Sequence, residues 1–427
     1  MKISRILHAG YVFESNGRQI LFDPIFENPF SRNCHAYPDV EFDHDQIRKL
    51  RPDAVFISHY HDDHCSMESL QYLDRKTTIY LYCQHDELFS MIRELGFSTV
   101  RPLKTDEPVQ IGNFEIILRL ALDSDVDSIF HIKAEGLNIL NVVDAWIDPT
   151  AMTELAKNSW DLVLWPFQTM REIEVIAPGL AKPAELPMEW LEQLKILKPR
   201  WIVPSSCQFI QEEWSWYRKV YFPISYRRFQ SEVEAYLPNS KILRLNPGVS
   251  IQLDQKQARI STALSWVLPK GEQDVDYEYD PDFKPQATAE IAKHFAQLSD
   301  QQRQRVLSYC EKDLIEKYGS FETGLSGLWK LILYGHLGDA ISFTYELTDG
   351  LIKPAKTKLL PTWITEVPMA KLYAALEEGE SLSSMYLRMK GMPFEDIGED
   401  PLIACLFHGA FGEYQRAQIK KLGLQAD

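Results

Sequence analysis

Ala54-Val55-Phe56-Ile57-Ser58-His59-Tyr60-His61-Asp62-Asp63-His64 decides how this chain is read. Ala54 to Ser58 is a short apolar run, the pattern of a strand buried on both faces. Three histidines and two aspartates follow within six residues. A strand end is a rigid platform, and a sharp loop there can turn several side chains into one pocket. Imidazole and carboxylate are good ligands for zinc, iron and manganese. In extended backbone, residues 59 and 61 share a face, so two imidazoles reach one ion. Asp63 and His64 can serve a second ion where the chain turns. A lone histidine at a strand end is ordinarily a polar loop residue, but this density is not explained that way.

Strand and turn signals continue on both sides. Arg5 to Phe13 and Gln19 to Phe22 flank Asn16-Gly17, a hairpin signal. Ser66 to Leu73 reads as a helix, Thr78 to Cys83 as a strand, and His85 to Leu95 as a helix ending at Gly96. Val109 to Leu120 is a hairpin broken at Gly112-Asn113. Ile129 to Ala134 and Asn138 to Val143 form another, turning at Glu135-Gly136. Leu162 to Pro166 and Trp201 to Pro204 are buried strands with a helix from about Met188 to Lys195 between them, and Lys241 to Leu245 and Val249 to Leu253 close the region. Strands and helices in this order fit an α/β sandwich, with helices covering two sheets.

Composition changes further on. Residues 269 to 285 carry Glu272, Asp274, Asp276, Glu278, Asp280 and Asp282 with three prolines. Such a stretch reads as a linker or surface loop. Ala287 to Leu298 and Gln301 to Lys317 are helical, the second capped by Ser299-Asp300. The expected organisation is a metal-binding domain over 1–265, an acidic linker or loop over 266–285, and an α+β domain of unknown role over 286–427.

The pattern His59-x-His61-x-Asp63-His64 resembles the metallo-β-lactamase superfamily, whose signature is His-x-His-x-Asp-His. His8-Ala9-Gly10 and Gln19-Ile20-Leu21-Phe22-Asp23-Pro24-Ile25-Phe26 are similar to the branch containing the N-acylphosphatidylethanolamine phospholipases and the lactonase-like proteins of ascorbate use. The resemblance covers roughly residues 1–250. It implies an α/β fold, a metallo-β-lactamase-type αββα sandwich, here with an additional C-terminal α+β domain. It also implies that His59, His61, Asp63 and His64 are metal ligands, that Asp63 orients or deprotonates water, and that Asp144 bridges two ions.

Two histidines that the resemblance leads one to expect are missing. One belongs just before the hairpin leading to Asp144, where the chain reads Leu122-Asp123-Ser124-Asp125-Val126-Asp127-Ser128. The other belongs after the strand ending in Pro204, where Ser205-Ser206-Cys207 stands. The first site would therefore hold His59, His61 and Asp144, with Asp123 or Asp125 as a fourth ligand. The second would hold Asp63, His64 and Asp144, left water-filled or completed by Cys207. Asp127-Ser128 reads as the turn into the next strand. His8 is expected near the pocket, in contact with substrate or behind a ligand, or else as an ordinary hydrogen-bonded histidine beside a strand. His35, next to Cys34, is a secondary candidate in a polar loop with no anchoring pattern, and His85 and His131 read as structural.

Other features bound the function. With 427 residues and 45% hydrophobic content, the chain has ample material for a core. A net charge of −16 argues against a nucleic-acid footprint. It also opposes general attraction to an anionic membrane, though it leaves room for a local basic patch. No apolar run is long enough for a membrane span, and the N-terminus is too short in its apolar part for a signal peptide, so a cytoplasmic protein is expected. The six cysteines show no Cys-x-x-Cys pair, which removes a cysteine-based zinc finger.

Three functions remain. Metal-assisted hydrolysis with one or two zinc ions comes first. A non-haem di-iron oxygenase comes second, favoured by the acidic residues near Asp123. It would lack a Rieske partner in cis, because no Cys-x-His with a matching Cys-x-x-His is present. A non-catalytic binding protein comes third. The expected partner is a small-molecule substrate, apolar or carrier-bound if Leu360-Pro361-Thr362-Trp363 and Met385-Tyr386-Leu387-Arg388 belong to a lipid-carrier-like domain. The loop from Asn28 to Asp43 and the aromatic stretch from Glu212 to Tyr226 are the expected pocket walls.

Overall fold

A computed structural model describes residues 1–167, 185–319, 325–380, 382, 385–393, 397–407 and 412–424. The described residues fall into two compact units. One comprises 1–167, 185–280 and 418–424; the other runs from 281 to 417.

The first unit is built on two sheets. The larger has eight strands, in the order Ala258–Ser261, Ser250–Leu253, Lys2–Arg5, Tyr11–Ser15, Arg18–Phe22, Ala54–Ile57, Thr78–Leu81 and Val100–Pro102. The smaller has seven: Lys241–Ile242, Trp201–Ser205, Leu162–Pro166, Leu137–Asn141, Ser128–Ala134, Phe114–Leu120 and Pro108–Ile111. Their inner faces share one core, to which Phe13, Phe22 and Phe56 contribute from one sheet and Phe130, Ile132 and Ile139 from the other. The Phe22 and Phe130 rings meet edge to face, 5.0 Å apart. This is the expected sandwich, and the all-apolar Ala54–Ile57 is buried at every position.

Several departures from the sequence reading have local causes. Asn16 and Gly17 adopt positive φ of 49° and 74° and close the first hairpin as their sequence requires. The strand expected from Arg5 to Phe13 is broken, however. Ile6 N–H bonds to Gly10 O (2.8 Å) and Gly10 N–H to Leu7 O (2.7 Å), making a tight loop with His8 at φ 52°. Gly10 is needed there, because a Cβ would lie 2.7 Å from the Asp23 carbonyl oxygen. The two strands expected near 241–253 join different sheets.

The acidic stretch does not stand apart from the first unit up to residue 280. Val267–Pro269 pairs with Val40–Phe42. Asp276 accepts the N–H groups of Tyr226 (2.7 Å) and Arg227 (3.0 Å) at the start of the helix Tyr226–Tyr236. Tyr277 is buried and donates its hydroxyl to the carbonyl oxygens of Cys207 (2.5 Å) and Phe209 (3.1 Å). Asp276 satisfies backbone donors and Tyr277 packs inward, while the rest of 269–285 is exposed or half-exposed, as a surface loop should be.

The second unit is α+β. Its five strands are ordered Leu351–Pro354, Ala340–Thr348, Gly327–Tyr334, Trp363–Pro368 and Arg388–Lys390. Trp329, Leu331, Tyr345 and Trp363 form a core with Val306 and Leu314 from the helical stretch and with Leu372 and Leu402. That stretch begins at Asp300–Ser308 with a Ser299/Gln302 capping box and continues through a π-turn, Tyr309–Asp313, into Leu314–Tyr318.

Asp400 is the polar keystone of this core. It is fully buried and accepts from Trp363 Nε1 (3.1 Å), Thr365 Oγ1 (2.5 Å) and the Leu402 N–H (3.0 Å) at the start of the helix Pro401–Phe407. Asp400→Ala strands these donors and removes a helix cap. It is expected to destabilise the second unit by about 2–4 kcal/mol, read as a lower urea midpoint.

Candidate metal centre

Asp23 ends the strand Arg18–Phe22, and Ser58 and His59 follow its parallel neighbour Ala54–Ile57. The two strand ends lie side by side, held by an Asp23 N–H bond to Phe56 O (2.9 Å). The Asp23 side chain is fully buried. It accepts the Ser58 N–H (2.7 Å), the Ser58 hydroxyl (2.7 Å) and His64 Nδ1–H (3.1 Å).

Hydrogen-bond accounting at this hub assigns the imidazole tautomers. Ser58 has one hydroxyl proton and gives it to Asp23, which can only accept. Its 2.9 Å contact with His59 Nδ1 must therefore be Nδ1–H donating to Oγ. Both His59 and His64 then carry a proton on Nδ1, which leaves the Nε2 lone pairs for a cation.

Those Nε2 atoms belong to two groups of converging ligands. The first is His59, His61 and Asp127, and the second is His8, Asp63, His64 and Asp144; within each, the ligand atoms lie within 4.8 Å of one another. His59 Nε2 is 3.0 Å from His61 Nδ1 and 3.7 Å from Asp127 Oδ1. His64 Nε2 is 3.0 Å from His8 Nε2, 3.1 Å from Asp144 Oδ2 and 3.7 Å from Asp63 Oδ2. Asp144 Oδ1 is buried without a hydrogen-bond partner among the described residues. A buried acceptor left open beside converging lone pairs fits a cation.

The electrostatics agree with that fit. Burial, reinforced by the neighbouring imidazoles, pushes His59 well below the ordinary histidine range, so it stays a neutral ligand. The protein atoms crowding its ring lower His61, against the pull of Asp63 and Asp144, although the residue keeps an edge exposed to solvent. His64 goes the other way: burial opposes its charge, but Asp144 and Asp63 outweigh it and hold the ring protonated, with a proton where the cation would sit. Asp63 and Asp144 are held well below the carboxylate range despite burial, mainly by His64. Asp127 is pushed up to about 7 by burial and by Asp144.

Five non-glycine residues around the centre adopt left-handed backbone: His8, Asp23, Val143, Ser206 and Cys207, with φ between 39° and 61°. For the β-branched Val143, immediately before Asp144, this is a strained conformation. Asn141 Oδ1 holds it by accepting the Val143 N–H at 3.1 Å. The strand expected to run to Val143 ends at Asn141 for this reason.

Of the residues singled out from the sequence, His59, His61, Asp63, His64 and Asp144 converge. Asp123 does not join them. Its carbonyl accepts the Val126 and Asp127 N–H groups (3.2 and 2.7 Å) in a turn that leaves Asp123 exposed and brings Asp127 to the site. Asp125 is also outside, bonded by Gln84 Nε2 at 3.0 Å. The place expected for Cys207 beside Asp63 and His64 is occupied by His8. Cys207 instead gives its N–H to His8 Nδ1 (2.9 Å), and burial and Asp144 push its thiol well above the ordinary range. Since His8 Nδ1 accepts, the neutral ring donates from Nε2, and Asp63 Oδ2 lies 3.1 Å away.

The aromatic stretch expected as a pocket wall is packed: Trp216, Tyr217, Tyr221 and Phe222 are buried. Phe222 meets Phe209, and Phe209 and Phe30 lie 5.9 and 5.6 Å from the His8 ring. Asp127, expected only as part of a turn, and Asp23 are the two site residues that the sequence did not single out. The signal for Asp23 was the Asp23-Pro24 pair, read there only as part of the resemblance.

Residues 2–206 match the family model described as the beta-lactamase superfamily domain. The cytidine monophosphate-N-acetylneuraminic acid hydroxylase of Danio rerio is 28% identical over 153 aligned residues, covering 33% of this chain and 25% of that enzyme. The chain thus matches about a quarter of that relative's length. A metallo hydrolase from Ignicoccus hospitalis is similar in structure, at 18% identity over 59% of this chain and 99% of that one, with a TM-score of 0.41. CmlA, a diiron β-hydroxylase from Streptomyces venezuelae, is similar at 15% identity over 61% and 54% of the two chains, also with a TM-score of 0.41.

Two substitution experiments follow from the geometry. Asp23→Asn places a donor where two protons already converge and is expected to weaken metal binding about 10- to 100-fold, measured by chelator competition. Asp127→Ala is expected to lose one bound metal equivalent, while Asp123→Ala keeps the full complement, both read by elemental analysis.

Proposed function

Residues 2–206 are a domain of the beta-lactamase superfamily, and from that premise we propose that the chain is a metal-dependent hydrolase acting on a small molecule. The observation that carries the proposal is the pair of ligand groups converging at adjacent strand ends, with Asp144 Oδ1 left open between buried neighbours. His59, His61 and Asp127 would hold one cation, and Asp63, His64 and Asp144 a second. Bound cations would supply Lewis acidity and lower the pKa of water to about 7.

The chain's own groups have distinct tasks in this reading. Asp63, held ionised beside His64 and His8, orients the attacking water as an acceptor. It is a weak base, so its contribution is placement more than proton removal. His8, its Nδ1 engaged by Cys207, presents an Nε2–H donor toward Asp63 and the reacting oxygen. Phe30 and Phe209 back that ring and fix its plane.

A second reading is favoured by one specific feature. His59, His61 and Asp127 make a set of two histidines and one carboxylate, the composition used by non-haem iron oxygenases. The Danio rerio relative is a hydroxylase, which points the same way.

Metal analysis of protein purified without added metal, followed by isotope labelling of any product, separates the readings. Hydrolysis predicts zinc in the purified protein and product oxygen drawn from labelled water. Iron with product oxygen drawn from labelled dioxygen would replace hydrolysis by oxygenation. Failure to hold any metal would leave only a binding role.

A further inference from the structure

The second unit carries a surface feature that the metal centre does not use. Pro354, Tyr345, Trp329 and Trp363 lie in one row across the sheet. The chain therefore leaves the edge strand Leu351–Pro354 and re-enters at Trp363, having crossed two intervening strands. Three strand spacings are about 14 Å. The eight residues 355–362 can span roughly 26 Å. The segment is longer than the crossing needs, and residues 356 to 360 are exposed.

Both ends of the segment are fixed. Ile352 and Trp363 are buried, the Ala355 N–H bonds to Thr344 O (2.8 Å), and the Thr362 N–H bonds to Leu328 O (2.7 Å). Between them, Thr357 Oγ1 accepts the Leu359 N–H at 3.1 Å. The result presents apolar side chains to solvent: Leu359 is 73% exposed, Leu360 89% and Leu351 68%. Scattered exposed leucines are ordinary, but Leu359 and Leu360 are adjacent in one short segment, whereas Leu351 lies at the far end of the edge strand from it.

Charge gives the segment its partner. Lys353, Lys356 and Lys358 are exposed within the same segment of a chain whose net charge is −16. Lys353 pairs with Glu346 at 3.1 Å. Lys356 and Lys358 have no ion-pair partner among the described residues. An apolar pair flanked by cations matches the interface of an anionic bilayer, where leucines enter the acyl boundary and lysines stay at the headgroups. The overall negative charge does not prevent this, because charges beyond about 8 Å are screened at physiological ionic strength.

We propose that the 351–362 segment docks this protein onto anionic phospholipid surfaces. The site is independent of the reading of the metal centre. The full chain is tested by co-sedimentation with vesicles of phosphatidylcholine alone or of phosphatidylcholine with phosphatidylserine. Binding is expected only to the phosphatidylserine vesicles, weakening as salt is raised. Leu359→Ser with Leu360→Ser is expected to weaken it roughly tenfold per leucine, and Lys356→Glu with Lys358→Glu to abolish the preference for phosphatidylserine. A Leu360→Trp variant should show a blue-shifted emission with the anionic vesicles alone. Three results would overturn the proposal: no binding to either vesicle, binding that survives both double substitutions, or a dimer in solution that the leucine substitutions dissociate.

Discussion

The buried carboxylate of Asp23 is the constraint on which the metal centre depends. It joins two parallel strand ends by accepting from the backbone and hydroxyl of Ser58, and it fixes His64 through Nδ1. One proton inventory then determines the chemistry of both ligand groups. Ser58 spends its only hydroxyl proton on Asp23, so His59 must donate to Ser58, and the Nε2 atoms of His59 and His64 are left as lone pairs. Burying a carboxylate costs several kcal/mol unless donors surround it, and the cost is met here by groups that also orient ligands.

Strain and charge are concentrated around the same point. His8, Asp23, Val143, Ser206 and Cys207 all hold left-handed backbone, on four turns around the site, with Ser206 and Cys207 sharing one. Such conformations persist only where the surrounding packing over-determines them. Three half-buried carboxylates, Asp63, Asp127 and Asp144, meet four imidazoles, of which His8, His59 and His64 are buried and His61 is exposed. Without a cation, a proton on His64 balances Asp144 and Asp63, and Asp127 is driven toward its neutral form. That compromise is what a site built for positive charge does when the charge is supplied only by protons.

Much of this was legible in the sequence. Ala54 to Ile57 announced a doubly buried strand, and the spacing of His59, His61, Asp63 and His64 announced side chains that converge at its end. What escaped were choices made by turns. Asp123, Asp125 and Asp127 alternate in sequence and are indistinguishable by type. Only the hydrogen bonds from Val126 and Asp127 back to the Asp123 carbonyl decide which carboxylate enters. His8 was expected near the pocket, but not among the converging ligand atoms, because Arg5 to Phe13 reads as one strand, whereas the chain loops at Ile6 to Gly10 and turns the ring inward. Asp23 lies 35 residues from Ser58, and no local pattern connects them. The acidic stretch before residue 280 is a surface loop, as expected, and what composition does not reveal is that Asp276 caps the helix Tyr226–Tyr236.

The most direct test is the protonation of the imidazole nitrogens in zinc-loaded protein, read from nitrogen-15 NMR of labelled histidine. The proton inventory at Asp23 predicts that His59 and His64 both carry hydrogen on Nδ1, with Nε2 shifted by the metal. Hydrogen on Nε2 of either ring in the loaded protein would contradict it.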